Sequence, residues 1–518
     1  MKIDQEALEH LYVTGEYPLL LEEIKKLECY ETFKDSKSIE RAICVSYHSR
    51  ALIRLGEVDE AENLIRKIPE LELDGLLFIS SLVYSTSIMN LEITRGEVDE
   101  AIKKGKNVLE LLEHDMEKVS EYPKLMSFWG SFLYHLMGIA YFYQLRNDLA
   151  EKYFRKGLEL NQNNLFIKAK SLYYMAFLEL ENGNTSKFFD FLDRSLVIYS
   201  SIEAKQGIAW VKAWQGQFYL QKGDFKEANN KISQATELFK SIGDRNGINL
   251  VNSLIGLMFY QQGKLNRGEK ILEQAFSSSI EIGNPMIASY CLIPLLLLYI
   301  EFGSRRKAKE CIQKFFQASG RSNSKRITAH GLVAEAIFLK SSSRFSDKAR
   351  AQSIFLELLA AREKEIQSAG SYIWLTSDTT FSFLVLTHLA ELYLDEFKLS
   401  EDKLIMKEAR RLIDNHIQTL SEKKFSPELI ELSLLKAKLF IVEGEIKQAM
   451  AILDQAKQEA DENRLFRLGE KIEVEMDHIE QEFKKWDSAV SVRERIKIVE
   501  IEKYLQEVQK MVRLDQEG

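Results

Sequence analysis

The chain is poor in the residues that interrupt helices and in those that build covalent or metal-bound frameworks. Six prolines in 518 residues leave long stretches free of the side chain that removes a backbone donor and clashes inside a helix. With Leu, Glu, Lys, Ala and Ile abundant, this disfavours a β-rich fold and suits a nearly all-helical one. The four cysteines, Cys29, Cys44, Cys291 and Cys311, form no C-x-x-C pair, so neither a disulfide framework nor a zinc site is expected. A reducing, cytoplasmic setting is. No run reaches the roughly 18 apolar residues a membrane span needs, and the greasiest, Leu292 to Ile300, reads as a buried helix. Met1 is followed by Lys2, Ile3, Asp4, Gln5 and Glu6 rather than by the apolar core of a signal peptide.

Charge of one sign is also scarce. A formal net charge of −8 provides no global field for nucleic acid or an anionic membrane, so electrostatic recognition has to be local. The eight histidines are dispersed and none sits in an H-E-x-x-H or comparable ligand spacing. There is no phosphate-cradling G-x-x-x-x-G-K-S/T loop, no G-x-G-x-x-G after a strand and no G-x-S-x-G elbow. No catalytic, cofactor-binding or metal residue is therefore assigned, and a non-enzymatic protein is expected.

What is present is a ladder. Gly183, Gly223, Gly263 and Gly303 stand forty residues apart, each between two apolar helical stretches. A fixed period of this size means one helix–turn–helix unit copied in tandem, burying its core against its neighbours. Around Gly223 the unit reads Gly216, Tyr219, then Gly223-Asp224-Phe225-Lys226-Glu227-Ala228, then Ile232 and Ala235. The early small residue and the alanines let two helices cross closely, and the turn glycine can adopt positive φ. Gly256, Phe259, Gly263, Gly268, Leu272 and Ala275 repeat the pattern, as do Tyr299, Gly303, Ala308 and Ile312.

Further copies run in both directions. Gly56-Glu57-Val58-Asp59-Glu60-Ala61 and Gly96-Glu97-Val98-Asp99-Glu100-Ala101 are nearly identical and again forty apart. The next copy keeps Gly138, Tyr141, Ala150, Phe154 and Gly157 but has Leu145 at the turn, with additional residues between Glu113 and Phe128. Ala437, Phe440, Gly444, Ala449, Leu453 and Ala456 make a clear late copy. Weaker ones hold Ala336, Leu339, Ser343 and Ala349, and Ala390, Tyr393 and Ala409.

This grammar, small-x-x-Tyr/Phe, then Gly-Asp/Glu-x-x-x-Ala, then a small residue seven positions on, resembles the tetratricopeptide repeat. The forty-residue version is similar to the longer repeats of kinesin light chains and of bacterial and archaeal signalling regulators. The resemblance implies a right-handed superhelical α-solenoid of antiparallel helix pairs, about nine to ten repeats. The chain then divides into a degenerate opening repeat or cap (1–38), the solenoid (39–462) and C-terminal long helices (463–518). Residues Gly370 to Phe381 break the grammar and are expected to form a bend or loop.

After residue 463 two apolar stripes replace the repeats. Leu465, Leu468, Ile472, Met476, Ile479, Phe483, Trp486 and Val490 describe one helix. Ile498, Ile501, Leu505, Val508 and Val512 describe a second, after the capping-box spacing Ser491-Val492-Arg493-Glu494. The first would cap the apolar end of the array. The second would do the same, pair two copies as a short coiled coil, or fold back into the groove.

Binding residues follow from the resemblance. A tetratricopeptide groove is lined from the first helix of each pair, at −6, −3, +1 and +4 from its small residue. Those positions are Lys170, Tyr173, Phe177 and Leu180; Trp210, Ala213, Gln217 and Leu220; Leu250, Ser253, Leu257 and Tyr260; and Tyr290, Ile293, Leu297 and Ile300. Tyr173, Phe177, Trp210, Gln217, Leu257, Tyr260, Tyr290 and Leu297 are the candidate contacts. The set is apolar and aromatic and lacks the basic residues with which some family members clamp a carboxylate, so an amphipathic helix or an extended apolar peptide is the expected partner.

A second feature is basic. Arg305, Arg306, Lys307, Lys309, Lys314, Arg321, Lys325 and Arg326 cluster with only Glu310 among them. They read as a solvated face or as a dock for an acidic partner, with nucleic acid disfavoured because no aromatics interleave. The resulting function is a protein-interaction scaffold or adaptor. The alternative is a regulator that senses a short peptide by tightening its superhelix.

Overall fold

The computed structural model describes residues 5–26, 39–66, 77–114, 123–160, 164–181, 184–369, 379–400, 402–423 and 426–488. All of the regular structure in them is helical. The first four pairs are α1 (Gln5–Thr14) with α2 (Tyr17–Lys26), α3 (Ile39–Leu55) with α4 (Val58–Arg66), α5 (Leu77–Arg95) with α6 (Val98–His114), and α7 (Pro123–Tyr143) with α8 (Asn147–Leu160). Next come α9 (Leu165–Glu181) with α10 (Thr185–Ser201), α11 (Lys205–Gln221) with α12 (Phe225–Ile242), α13 (Arg245–Gln261) with α14 (Leu265–Ile282), and α15 (Pro285–Glu301) with α16 (Arg305–Ala318). The last are α17 (Lys325–Lys340) with α18 (Phe345–Ala369), α19 (Thr379–Ser400) with α20 (Lys403–Lys423), and α21 (Ser426–Glu443) with α22 (Ile446–Glu462), followed by α23 (Phe466–Ser488). The array has eleven pairs among the described residues, more than the sequence grammar shows, because α1–α2 and the pairs around residues 345 and 400 have lost most of the signature.

The turn chemistry is the expected one. At Gly223 (φ 76°) the Gly223 N–H donates to the Leu220 carbonyl at 3.0 Å and the Asp224 N–H to the Tyr219 carbonyl at 2.9 Å. Two carbonyls that α11 would otherwise orphan are thus satisfied. The Asp224 carboxylate then accepts from the Glu227 N–H at 3.0 Å and starts α12. The turn at Leu145 keeps the same two bonds, from the Leu145 N–H to the Phe142 carbonyl and from the Arg146 N–H to the Tyr141 carbonyl, and Leu145 holds φ 61° without being glycine. The apolar run Leu292 to Ile300 lies in α15, where most of its side chains are buried.

Superhelical closure is what the repeat grammar does not show. Beyond its sequence neighbours, α1 packs on α11, α3 on α13, α5 on α15, α7 on α17, α11 on α21 and α13 on α23. Each contact joins the first helix of one pair to the first helix five pairs later, so five pairs complete one turn. First helices form the inner layer and second helices the outer one. The turn at Gly96 shows how close the layers come: a Cβ there would lie 2.5 Å from Ser322 Oγ and 2.7 Å from Ile327 Cδ1. At the far end Leu465, Leu468, Ile472 and Ile479 of the first C-terminal stripe are buried against α21 and α22, and the helix continues unbroken to Ser488. Gly183, residues 370–378, and everything from 489 on, including the second stripe, lie outside the described residues.

Candidate functional site

Closing the first superhelical turn encloses a cavity of roughly 200 Å³ on its axis. Its walls come from α3, α5, α7, α9, α11, α15 and α17, with Phe188 and Tyr199 of α10, Asn246 at the start of α13 and Asn284 in the linker before α15. Three cations line it from three separate helices: Arg54 of α3, Lys170 of α9 and Arg326 of α17. No carboxylate is among the described lining residues. Aromatic rings make much of the remaining surface, including Tyr173, Phe177, Trp210, Trp214 and Tyr290. Side-chain amides make most of the polar remainder, among them Asn90, Gln206, Gln217 and Gln221.

The chemistry behind the wall explains how the cations are tolerated. Arg50 is 2% exposed and sandwiched by rings, its guanidinium carbon 4.1 Å from the Tyr12 centroid, 4.6 Å from Phe132 and 5.1 Å from Tyr47. Arg54 donates from Nε to the Tyr12 hydroxyl at 3.4 Å. Arg326 lies 4.0 Å over the Phe142 ring and donates to the Phe142 carbonyl at 3.3 Å. The Lys170 ammonium stands 5.3 Å from the Phe166 centroid and 5.8 Å from Phe132, with no hydrogen bond or ion pair among the described residues. Burial, opposed by the Tyr12 phenol and reinforced by the charges of Arg54 and Arg50, pushes it down to about 7. Burial alone would raise the Tyr12 phenol, but Arg54, Arg50 and Lys170 together bring it down to about 7. The nearest acids are tied up or neutralised. Asp244 caps α13 and accepts from Gln206 at 2.6 Å, while burial raises the Glu9 carboxyl to about 7 against the pull of Arg50.

The candidate groove residues divide by position along the array. Tyr173 and Phe177 of α9, Trp210 and Gln217 of α11, and Tyr290 of α15 line the cavity, as do Lys170 and Leu180. Leu257, Tyr260 and Leu297 do not, nor do Ala213, Leu220, Leu250, Ser253, Ile293 and Ile300. The reason is superhelical stacking: α13 is covered by α3 from one turn and by α23 from the other, and the Tyr260 ring is capped by Arg467 at 4.1 Å. The expected lack of basic groups is corrected in the same way, since Arg54, Lys170 and Arg326 converge only once the turn closes. Extending the +1 and +4 register to earlier pairs would have found Asn90 and Ile93 of α5 and Ile139 and Phe142 of α7, all of which line the cavity. The −6 position in α17 is His330, which does too. Arg54 is one residue off that register and carries no local signal.

The basic run does not form one surface. Arg305 bonds Ser341 Oγ at 2.8 Å and covers the Phe338 ring, Arg306 pairs with Glu310 at 3.4 Å, and Lys307 pairs with Glu269 at 2.9 Å. Lys309, Lys314, Arg321 and Lys325 are exposed, whereas Arg326 turns inward to the cavity. Among the described residues no group of three His, Cys, Asp or Glu side chains could hold a metal ion, and no helix is long and apolar enough to cross a membrane. Cys44, Cys291 and Cys311 are buried and form no disulfide among the described residues.

Antiparallel pairs with a small crossing residue, a left-handed turn and an inner layer of first helices define a tetratricopeptide-type α-solenoid. The family model described as "Tetratricopeptide repeat" matches residues 133–164, which hold the end of α7, the Leu145 turn and α8. No curated protein matches the chain. Among solved structures, a Rap protein complexed with Competence and Sporulation Factor is similar at 15% identity, over 79% of this chain and 99% of that one, with a TM-score of 0.45. The human IFIT1 dimer with m7Gppp-AAAA is similar at 15% identity, over 87% and 88%, with a TM-score of 0.40. Yeast Tom70 is similar at 13% identity, over 87% and 97%, with a TM-score of 0.33.

Proposed function

We propose that this chain is a non-enzymatic binding protein that takes a short, extended peptide segment of a partner into the cavity of its first superhelical turn. The observation that carries this reading is the pairing of aromatic walls with side-chain amides that have no internal work. Asn90 and Gln217 face the cavity and their amide groups bond no described residue. An amide offers both a donor and an acceptor, as a peptide backbone requires, and the rings supply anchoring area.

One observation favours a responsive role over a rigid adaptor. The lining comes from two successive turns of the superhelix, Ile53, Arg54 and Asn90 from one and Asn246, Tyr290 and Arg326 from the next. An occupant bridging them would favour the closed superhelix, and the bound population would be the more compact one.

The test uses a synthetic pool of heptapeptides incubated with the full chain, with the retained peptides weighed by mass spectrometry after gel filtration. Retention by the natural protein and at least about tenfold less by Trp210→Ala/Tyr290→Ala is expected, along with a smaller radius of gyration when peptide is bound. Equal retention by the folded double variant would overturn the cavity reading.

A further inference from the structure

The outer layer carries a charge asymmetry that the cavity does not use. On α16, Arg306, Lys309, Gln313 and Phe316 are exposed, and steps of three, four and three residues place them in one stripe. The opposite face, Ala308, Cys311, Ile312 and Phe315, is buried. Arg306 is 90% exposed and reaches Glu310 of its own helix. Among the described residues Lys309 and Lys314 have no ion pair, nor do Arg321 and, on the adjacent α14, Arg267 and Lys270. Two acids of α14 that stand close to these cations, Glu269 and Glu273, are taken by Lys307. The surface is therefore left with an excess of positive charge in a chain whose net charge is −8.

The complement lies at the other end of the same chain. On α23, Glu470, Glu473, Asp477 and Glu480 are exposed with the same steps of three, four and three residues, opposite the buried Leu468, Ile472 and Ile479. Glu473 reaches Lys457 at 3.0 Å, and the other three have no ion pair among the described residues. Two large apolar side chains stand beside this stripe, Phe466 at 59% and Val474 at 69% exposure, and covering them would be favourable. Within its own copy α23 packs on α13, α21 and α22. We propose that the basic stripe of α16 docks the acidic stripe of α23 from a second copy of this chain. With the two helices side by side in the same direction, the matched spacing sets Arg306 against Glu470, Lys309 against Glu473 and Gln313 against Asp477. Exposed ion pairs contribute little one at a time, so the contact depends on several acting together with the apolar cover. The two surfaces differ, so copies either add head to tail or close as a two-fold pair that uses the contact twice. A nucleic acid would meet the cations but leave the acidic stripe and its apolar neighbours unused.

A charge swap on the full chain tests this, read by sedimentation velocity over a concentration series. In about 50 mM salt the mean mass is expected to climb above that of one chain, and in about 500 mM salt to fall back, because screening then acts within a few ångströms. Arg306→Glu/Lys309→Glu and Glu470→Lys/Asp477→Lys should each weaken association at least about tenfold, since like charges then face one another. An equimolar mixture of the two variants should restore it, because every contact in the mixture again joins opposite signs. If either variant melts early, Arg306→Gln/Lys309→Gln removes the charge without reversing it and should weaken association in the same direction. A chain that stays monomeric at low salt, an association indifferent to salt or retained by both variants, or a loss that mixing does not repair would each overturn the proposal. Capture of an RNA oligonucleotide instead of a second copy, weakened by Arg306→Glu/Lys309→Glu alone, would also overturn it and assign the cations to nucleic acid.

Discussion

The same five-pair offset is used twice, and the two seams it makes are built differently. Where α5 and α7 meet α15 and α17, the linker after α16 is bolted to the turn at Gly96. The Gly96 carbonyl accepts from the Asn323 N–H and Ser322 Oγ, each at 3.1 Å. Asn323 also donates to Glu100 at 2.7 Å and accepts from the Asp99 N–H at 3.1 Å. Gln144 donates to the Asn323 carbonyl at 2.9 Å and to Asp99 at 2.7 Å. Where α11 and α13 meet α21 and α23, the tie among the described residues is one buried guanidinium, Arg467, 3.5 Å from Glu301 and 3.0 Å from Glu431. There the turn glycines have room: a Cβ on Gly223 would be 3.6 Å from Pro427, and one on Gly263 3.8 Å from Arg467. Helices on both sides of the tight seam line the cavity, whereas at the looser seam only α11 and the start of α13 do.

Identical rungs of the glycine ladder can break this comparison. Gly96 and Gly303 both hold positive φ, 78° and 69°, but among the described residues nothing lies within 4 Å of a Cβ on Gly303. Gly96→Ala is expected to cost about 3 kcal/mol, combining backbone strain with the clash on Ser322, and Gly303→Ala about 1 kcal/mol from backbone alone. Urea midpoints of the two variants check this, and equal losses would mean the seam contributes nothing at Gly96.

Arg467→Met probes the looser seam. It keeps apolar cover on Tyr260 and frees two half-buried carboxylates to solvent, so a loss of about 1 kcal/mol is expected. Hydrogen exchange should quicken in α23 and leave α5 and α7 unchanged. Faster exchange in both places would mean that the seams are one cooperative unit.

The smallest effect is a pH slope. Lys170 and Tyr12 each have a folded value of about 7, below their unfolded values of about 10.4 and 10. The unfolded chain therefore binds more protons between pH 7 and 10, and stability should rise with pH across that window. The slope is expected to be below about 1 kcal/mol per pH unit, given the partial exposure of Lys170 and its coupling to the buried Tyr12. Below pH 7 two other groups oppose one another: His48, pushed by burial to about 4, favours rising stability with pH, and Glu9, raised to about 7, favours falling stability. Urea midpoints at pH 7, 8 and 9 should differ less in Lys170→Met, the remaining slope being that of Tyr12, which Arg54 and Arg50 still lower. The second seam should contribute through Lys471, whose ammonium burial and Arg467 hold below its usual value, but not through Arg467, which stays charged throughout.

Much of this was legible in the chain. The turn at Gly223, the crossing at Gly216 and the aromatic contacts of α9 follow from repeat grammar because a helix pair specifies itself through residues within forty positions. Leu145 was readable as a lost glycine but not as a residue still holding the left-handed turn, since that depends on the flanking hydrogen bonds being kept. Tyr260 and Leu257 were misplaced for a longer-range reason. Their register is correct within the pair, but α23, some two hundred residues on, occupies the space in front of α13.

The sequence by itself determined the repeating unit, its turns and which helix of each pair faces inward, because these are local steric requirements copied in tandem. Only the tertiary structure decided that five pairs close a turn, and with it which inward faces share one cavity. That number comes from small rotations summed over every pair, and no single repeat encodes it. The meeting of Arg54 with Lys170 is a consequence of that sum.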